Sequence, residues 1–364
     1  MKLIHCADIH LASKMAAHLE EWQARERNLE LLHTFEQMVQ FGEQQQVKAV
    51  LISGDLFDES EVPVFVENGF LDVIVQHPVM DFFWLRGNHD RNVAFRATEL
   101  PDNLHLFSEN WLSYSYGDVT ITGVECIGNS MTVQAQQLHL KPEDLNIVML
   151  HGMLVGQPST DVTEDQIPMS LLQEHAIDYL ALGHVHQHQT VRLDQRGIAC
   201  YSGCLEGRGF DECGEKGFVF LDIEETSRQI RAQFVPFGYR TVYEIPVDVS
   251  DCMTSTQILR AIRNELDETG VEEKDLVRVI LTGEVDVACE KNISYIERQL
   301  EEAYYCFRLI DDTKIYVKYS DYVIDQTLKG EFVRMVQETD LTEQEKGEVI
   351  RAGLMALAGE EWQL

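Results

Sequence analysis

Seven side chains that could bind metal ions stand between residues 8 and 186. They are two carboxylates, one amide and four imidazoles, namely Asp8, His10, Asp55, Asn88, His151, His184 and His186. A set of this kind, without a thiolate, suits hard or borderline divalent cations such as Mn²⁺. Seven ligands are too many for one ion, but they suit two ions about 3.5–4 Å apart that share a carboxylate and a nucleophilic water. The set therefore predicts a two-metal hydrolytic centre.

Glycines stand directly beside four of these ligands, at Gly54, Gly87, Gly152 and Gly183. A residue without a Cβ lets the backbone pass close to a metal or a phosphate. A single Asp-x-His or Gly-His-x-His segment is more often an ordinary turn than a ligand pair. The prediction of a metal centre therefore depends on five such loops occurring together.

Each of these loops follows a predicted strand. The first third of the chain alternates between strand and helix, with strands at 3–7, 47–53 and 81–85 and helices at 20–44 and 65–74. This alternation predicts a parallel sheet flanked by helices. Because sheets of this type build their sites at the carboxyl ends of the strands, we expect the five loops to converge on one edge.

A second pattern begins at residue 119, where strands predominate. They are predicted at 119–124, 146–150, 176–182, 198–202, 218–223 and 230–235. Beyond Tyr239 we predict a smaller unit with strands at 242–247, 277–281 and 315–319 and helices at 255–266 and 293–304. The fold class is therefore α/β (α+β): a two-sheet αββα sandwich over 1–240, an α+β capping domain over 241–322 and a helical tail over 323–364.

Charge and composition limit the choice of partners. The net charge is −33, whereas a protein that binds nucleic acid by itself usually has a basic face. The eight cysteines form no Cys-x-x-Cys pair, which is typical of reduced thiols in the cytosol. The chain shows neither a signal peptide nor an apolar run of about 20 residues that could span a membrane. We therefore expect a cytoplasmic protein without a membrane partner.

Five ordered motifs resemble those of the calcineurin-like metallophosphoesterase superfamily. They are Asp8-Ile9-His10, Gly54-Asp55-Leu56-Phe57-Asp58, Gly87-Asn88-His89-Asp90, His151 and Gly183-His184-Val185-His186. The first two are most similar to those of SbcD-type DNA repair exonucleases. The resemblance covers about residues 1–210, and the order of domains extends it weakly to the end.

The resemblance also implies which residues share a metal. One ion would be bound by Asp8, His10, Asp55 and His186, and the other by Asp55, Asn88, His151 and His184. Asp55 would bridge the two ions, for which Mn²⁺ is the expected metal.

Two further roles follow from the resemblance alone. His89 would face the scissile phosphate, stabilise the developing charge and help protonate the leaving oxygen. Asp90 would orient its imidazole. Arg208 could contact a substrate phosphate or face solvent. Ala12 departs from the pattern, because the family usually has glycine there.

Three functions remain compatible with these residues. The first is a Mn²⁺-dependent DNA exonuclease or endonuclease of the SbcD type, with DNA and an SbcC-like ATPase as partners and room for a homodimer. The second is a small-molecule or cyclic-nucleotide phosphodiesterase that uses the same two ions, which the acidic charge favours. The third, a degenerate scaffold, is disfavoured because every ligand is present.

The final helix suggests where an ATPase would bind. Thr342 and Glu345 have the spacing of a capping box, and Ile350, Leu354 and Leu357 lie on one helical stripe. This stripe could enter a groove on the partner or pack on the capping domain. The resemblance to the SbcCD complex favours docking on the partner.

Overall fold

The computed structural model describes residues 1–15, 19–58, 61–125, 131–156 and 165–358. The chain forms two compact units, Met1–Thr241 and Val242–Leu364. None of the helices in the described ranges is both long enough and apolar enough to cross a membrane.

In the described part of the first unit, the chain forms fourteen strands and three α-helices. In chain order the strands are β1 (Lys2–Cys6), β2 (Ala49–Ser53), β3 (Asp81–Leu85), β4 (Leu104–Leu106), β5 (Leu112–Tyr116), β6 (Val119–Gly123), β7 (Leu145–His151), β8 (Met153–Val155), β9 (Gln166–Pro168), β10 (Tyr179–Gly183), β11 (Gln189–Arg192), β12 (Ile198–Tyr201), β13 (Gly217–Glu224) and β14 (Gln229–Pro236). The helices are α1 (Glu21–Gln44), α2 (Val64–Gln76) and α3 (Met131–Gln137).

Twelve of these strands form two six-stranded sheets. The first has the order β14-β13-β1-β2-β3-β4 and the second β11-β12-β10-β7-β6-β5. The strands β1 to β4 run parallel, as do β6, β7, β10 and β12 in the second sheet. Their carboxyl ends therefore lie on one edge of each sheet, where ligand loops are expected.

Alternate side chains along the strands divide the apolar core into layers. Leu51 and Phe83 of the first sheet pack with Ile147 and Ala181 of the second in one buried cluster. A second cluster joins the opposite face of the first sheet to α1 and α2, with Phe35 among its members. A third joins the outer face of the second sheet to the segment around Leu172. The αββα layering predicted from the sequence is confirmed.

The second unit is mixed α and β. Its elements are β15 (Val242–Asp248), α4 (Ser255–Thr269), β16 (Leu276–Thr282), β17 (Glu284–Asp286), α5 (Ile293–Glu301), β18 (Cys306–Asp311), β19 (Lys314–Tyr316), α6 (Ser320–Val323), α7 (Leu328–Gln337) and α8 (Glu343–Ala358). A parallel sheet of order β15-β16-β18 packs against α4 and α5.

The prediction missed one strand of this unit, β18, which is the third strand of the sheet. The helix predicted at 293–304 ends earlier, at Glu301. Part of the segment 315–319 forms the short β19, which pairs with β17. Short apolar runs cannot be assigned to helix or strand by periodicity alone, and the predicted helix ran up to the start of β18.

The last helix is capped as predicted but faces its own unit. The backbone N–H of Thr342 donates to Glu345, and the N–H of Glu345 donates to Thr342 Oγ1. Ile350 is fully buried in a cluster with Val317 and Val333, and Leu354 packs against that cluster. Ile350 and Leu354 are therefore part of the fold, and the expectation that they dock on a partner is wrong for these two residues, whereas Leu357 is 39% exposed.

Candidate metal centre

Sharp turns after β1, β2 and β10 aim the predicted ligands at one another. Asp8, His10, Asp55 and His184 have φ angles of 52°, 50°, 49° and 97°. A non-glycine residue in this left-handed region is strained by about 1–3 kcal/mol. Backbone hydrogen bonds from Asp8 N to Gly54 O and from His10 N to Asp55 O, 3.1 and 3.0 Å long, hold the first two loops together. The fold therefore enforces the local backbone that the site needs.

At two positions near the ligands, neighbouring atoms lie so close to the backbone that only glycine fits. A Cβ at Gly183 would lie 2.0 Å from Ser53 O, and a Cβ at Gly87 would lie 2.2 Å from Asp55 Oδ1. Both positions would also place it within 2.8 Å of the His151 ring. These residues let three loops close around one imidazole, as the sequence predicted for glycines beside ligands.

Ala12 occupies a glycine conformation at the end of the first loop, with φ of 67°. We predict that Ala12→Gly raises the free energy of unfolding of the first unit by about 1 kcal/mol. The strain that glycine relieves in the left-handed region is larger than the free energy lost because glycine gives the unfolded chain more conformational entropy. Ala24→Gly, inside α1, is the control and should lower it by about as much. Urea unfolding measures both, and an equal loss of stability in the two variants would refute this explanation.

The first ligand cluster contains Asp8, His10 and His186, whose ligand atoms lie within 4.8 Å of one another. Nε2 of His10 is 3.2 Å from Nε2 of His186, and 3.9 Å from Asp55 Oδ2. Two imidazole nitrogens that present lone pairs at this distance repel each other unless a proton or a cation lies between them. The donor set therefore fits a divalent cation.

The second cluster lies on the other side of Asp55. Nε2 of His151 is 3.4 Å from Asp55 Oδ2 and 3.0 Å from Asn88 Oδ1. The same amide oxygen is 3.2 Å from His184 Nδ1. Asp55 thus faces imidazoles of both clusters, as a bridging carboxylate would, and the structure brings all seven predicted ligands together.

Electrostatics also favour a cation here. Burial raises the pKa of Asp8. Burial disfavours the charged form of His151, but its interaction with Asp55 raises the pKa of His151 to about 9. Burial alone would raise the pKa of Asp55, but His151 lowers it. Without metal, a proton on His151 therefore offsets the charge of the carboxylates. With metal, the imidazole would be neutral, and the divalent ions would offset that charge instead.

His89 lies beside this centre, with its side chain 45% exposed. Its Nδ1 donates to the backbone oxygen of Asp58 at 3.2 Å and lies 3.7 Å from the Asp58 carboxylate. This contact leaves Nε2 available to a substrate.

Asp90 does not orient His89, so that prediction is corrected. Its buried carboxylate accepts the backbone N–H groups of Gly87 at 2.6 Å and Leu56 at 2.8 Å. Asp90 therefore joins two ligand loops through their backbones, and Asp58 takes the place beside the His89 ring.

Sequence reasoning missed the carboxylates behind the first cluster. His10 Nδ1 is 2.9 Å from Asp58 Oδ1, and His186 Nδ1 donates to Glu212 Oε1 at 2.7 Å. Asp58 stood in a recognised motif without a role, and Glu212 had no sequence signal. Arg208 pairs with both carboxylates, so this geometry does not support the predicted phosphate contact.

Comparisons with known proteins agree with this geometry. The family described as calcineurin-like phosphoesterase matches residues 1–188. An uncharacterized metallophosphoesterase, YhaO of Bacillus subtilis, is 23% identical over 303 residues, which cover 78% of this chain and 72% of YhaO. The DNA double-strand break repair protein Mre11 of Sulfurisphaera tokodaii is 24% identical over 319 residues, covering 82% of this chain and 77% of Mre11.

A third relative is the SbcD component of the nuclease SbcCD from Staphylococcus epidermidis, 24% identical over 273 residues that cover 65% of this chain and 69% of that protein. The family match spans more than half of the chain and contains Asp8, Asp55, Asn88 and His186. The chain therefore belongs to the calcineurin-like phosphoesterase family of metal-dependent hydrolases that cleave phosphoester bonds.

Proposed function

We propose that this protein is a Mn²⁺-dependent DNA nuclease that cleaves phosphodiester bonds. The observation that carries the proposal is the grouping of six other candidate metal ligands around Asp55, with His89 beside them. Two bound ions would supply Lewis acidity and a nucleophilic hydroxide, and would orient the phosphate. The identity with Mre11 and with the SbcD component of SbcCD, which extends beyond residues 1–188, supports DNA as the substrate.

His89 supplies the chemistry that the ions do not. Its ring stands next to His10, with ring centroids 4.9 Å apart, and its Nδ1–H is held by Asp58 O. When Nε2 also carries a proton, an imidazole held in this way can stabilise charge on the phosphate and pass that proton to the leaving oxygen, after which the ring is neutral. Burial of Asp8, His10 and Asp55 excludes water from the rear of the centre.

A small-molecule phosphodiesterase is the second candidate, because the net charge of −33 opposes unaided binding of DNA. The two candidate functions are distinguished by incubating the purified protein and Mn²⁺ with a duplex DNA end, a single strand of DNA and a cyclic nucleotide. Cleavage of DNA and not of the cyclic nucleotide supports the nuclease. The opposite preference refutes it. His89→Ala serves as the control for contaminating nucleases.

An SbcC-like ATPase would supply the positive charge for DNA binding that a net charge of −33 does not provide. The second unit exposes apolar side chains on α6 and α7 and between them, with Ile324 at 85%, Leu328 at 68% and Met335 at 64% exposure. Leu328 and Met335 are seven residues apart on α7 and therefore share one face of that helix, and neighbouring exposed apolar side chains are typical of interaction sites. These residues, rather than Ile350 and Leu354, are the proposed contact.

We predict that the double variant Leu328→Glu/Met335→Glu weakens co-purification with the ATPase by about 30-fold, the loss expected when an interface centre is disrupted. Metal content and cleavage of a small phosphodiester should not change. Val79→Glu, at a 79% exposed position of the first unit, is the control. Unchanged ATPase binding by the double variant would exclude this surface. Deleting 327–364 is a poorer test, because it also removes the buried Val333 and Ile350.

A further inference from the structure

The loop between β12 and β13 reaches behind the first ligand cluster. Glu212 in this loop has a side chain only 4% exposed, and its Oε1 accepts the Nδ1–H of His186 at 2.7 Å. Arg208 donates to the same carboxylate from Nη2 at 2.6 Å and from its backbone N–H at 2.8 Å. Glu212 is therefore fixed on two sides while it holds the imidazole.

The same arginine reaches the carboxylate behind the other imidazole. Arg208 Nη1 is 3.0 Å from Asp58 Oδ1, and that oxygen is 2.9 Å from His10 Nδ1. A path of close contacts between ionisable groups therefore runs from His186 through Glu212, Arg208 and Asp58 to His10. The path closes at the metal side, where the two Nε2 atoms face each other at 3.2 Å.

The second cluster has no comparable support among the described residues. His151 Nδ1 contacts a neutral group, the backbone oxygen of Ser53, at 2.9 Å. His184 directs its Nδ1 towards the Asn88 oxygen, and the Asp165 carboxylate, which favours the charged form of His184 from a distance, makes no ion-pair contact with it. The two clusters therefore differ in charge behind their imidazoles.

We propose that Glu212 and Arg208 are positioning residues that make the site of Asp8, His10 and His186 the tighter of the two metal sites. A carboxylate that accepts the Nδ1–H fixes the tautomer of the imidazole and makes its Nε2 a better donor to metal. The bidentate guanidinium stops Glu212 and Asp58 from repelling each other. The proposal rests on the two-metal centre of the proposed function and not on DNA as the substrate.

The test is a calorimetric titration of metal-free protein with Mn²⁺. Wild type should bind two ions in separate steps of unequal affinity. Glu212→Gln should weaken the tighter step by about 10–100-fold, the usual effect of losing such a partner, and leave the weaker step unchanged. Arg208→Lys keeps the positive charge but cannot form the two-pronged contact of the guanidinium, so it should weaken the tighter step less than Glu212→Gln does. It is the replacement test if Glu212→Gln does not fold.

Glu206→Gln is the matched control, because Glu206 is a buried glutamate of the same loop that pairs with Arg27 and does not contact a ligand. It should lower thermal stability without altering either Mn²⁺ step. Equal weakening of both steps by Glu212→Gln, no weakening, or the same effect from Glu206→Gln would overturn the proposal. A protein that binds Mn²⁺ as predicted but leaves DNA intact would refute the nuclease function and leave this assignment standing.

Discussion

Asp55→Ala is expected to lower phosphodiester hydrolysis by about 10³-fold or more and to remove at least one of the two ions. Asp55 is 2% exposed, and its Oδ2 lies 3.9 Å from His10 Nε2 and 3.4 Å from His151 Nε2. Without this carboxylate, two divalent cations would face each other with less negative charge between them. Loss of the second ion should therefore accompany the loss of activity.

The variant also removes a loop contact, so stability needs its own measurement. Asp55 Oδ1 accepts the backbone N–H of His89 at 2.9 Å. Circular dichroism shows whether the fold remains, elemental analysis counts the ions, and Asp222→Ala, at an exposed carboxylate of β13, controls for a general change of charge. Turnover near that of wild type with two ions bound would exclude Asp55 as the bridge.

His89→Ala is expected to separate metal binding from catalysis. Both ions should remain, because the clusters around Asp55 do not need this imidazole, whereas hydrolysis should fall by about 10²–10⁴-fold, the usual range for a positioned acid or base. His89 Nδ1 is held by Asp58 O at 3.2 Å, so the ring is already oriented in the free protein.

Elemental analysis and single-turnover kinetics on the same preparation decide between two roles for His89. The residue also lies in a potential metal-binding group with His10 and Asp58. If metal content falls together with activity, His89 is a ligand and not an acid. His89→Gln can keep a hydrogen bond to Asp58 O but cannot carry the proton, so it should be nearly as inactive as the alanine variant.

The sequence predicted the layers of the first unit well because its strands are buried and regularly spaced. The first four residues of β2, from Ala49 to Ile52, form an uninterrupted apolar run, and α1 and α2 alternate with β1, β2 and β3 along the chain. The second unit was harder to predict, because its strand Cys306–Asp311 mixes apolar and charged residues and directly follows a segment with a helical pattern. Its pairing with β16 is a long-range contact that local periodicity does not contain.

Grouping of the ligands could be predicted because each follows a strand and most adjoin a glycine. The supporting residues could not, because their partners lie far away in sequence: Glu212 holds His186 from 26 residues away, and Arg208 reaches Asp58 across 150. Asp90 shows the opposite error. It is the neighbour of His89 in sequence, but its carboxylate turns inward and accepts the backbone N–H groups of Gly87 and Leu56.

The most direct measurement of the central claim is the number of Mn²⁺ ions bound per chain, determined together with hydrolysis of bis(p-nitrophenyl) phosphate on one metal-free sample titrated with Mn²⁺. The geometry around Asp55 predicts two ions per chain and activity that rises only as the second ion binds. Full activity with one ion per chain, or two ions bound without any hydrolysis of the phosphodiester, would contradict a two-metal phosphodiesterase.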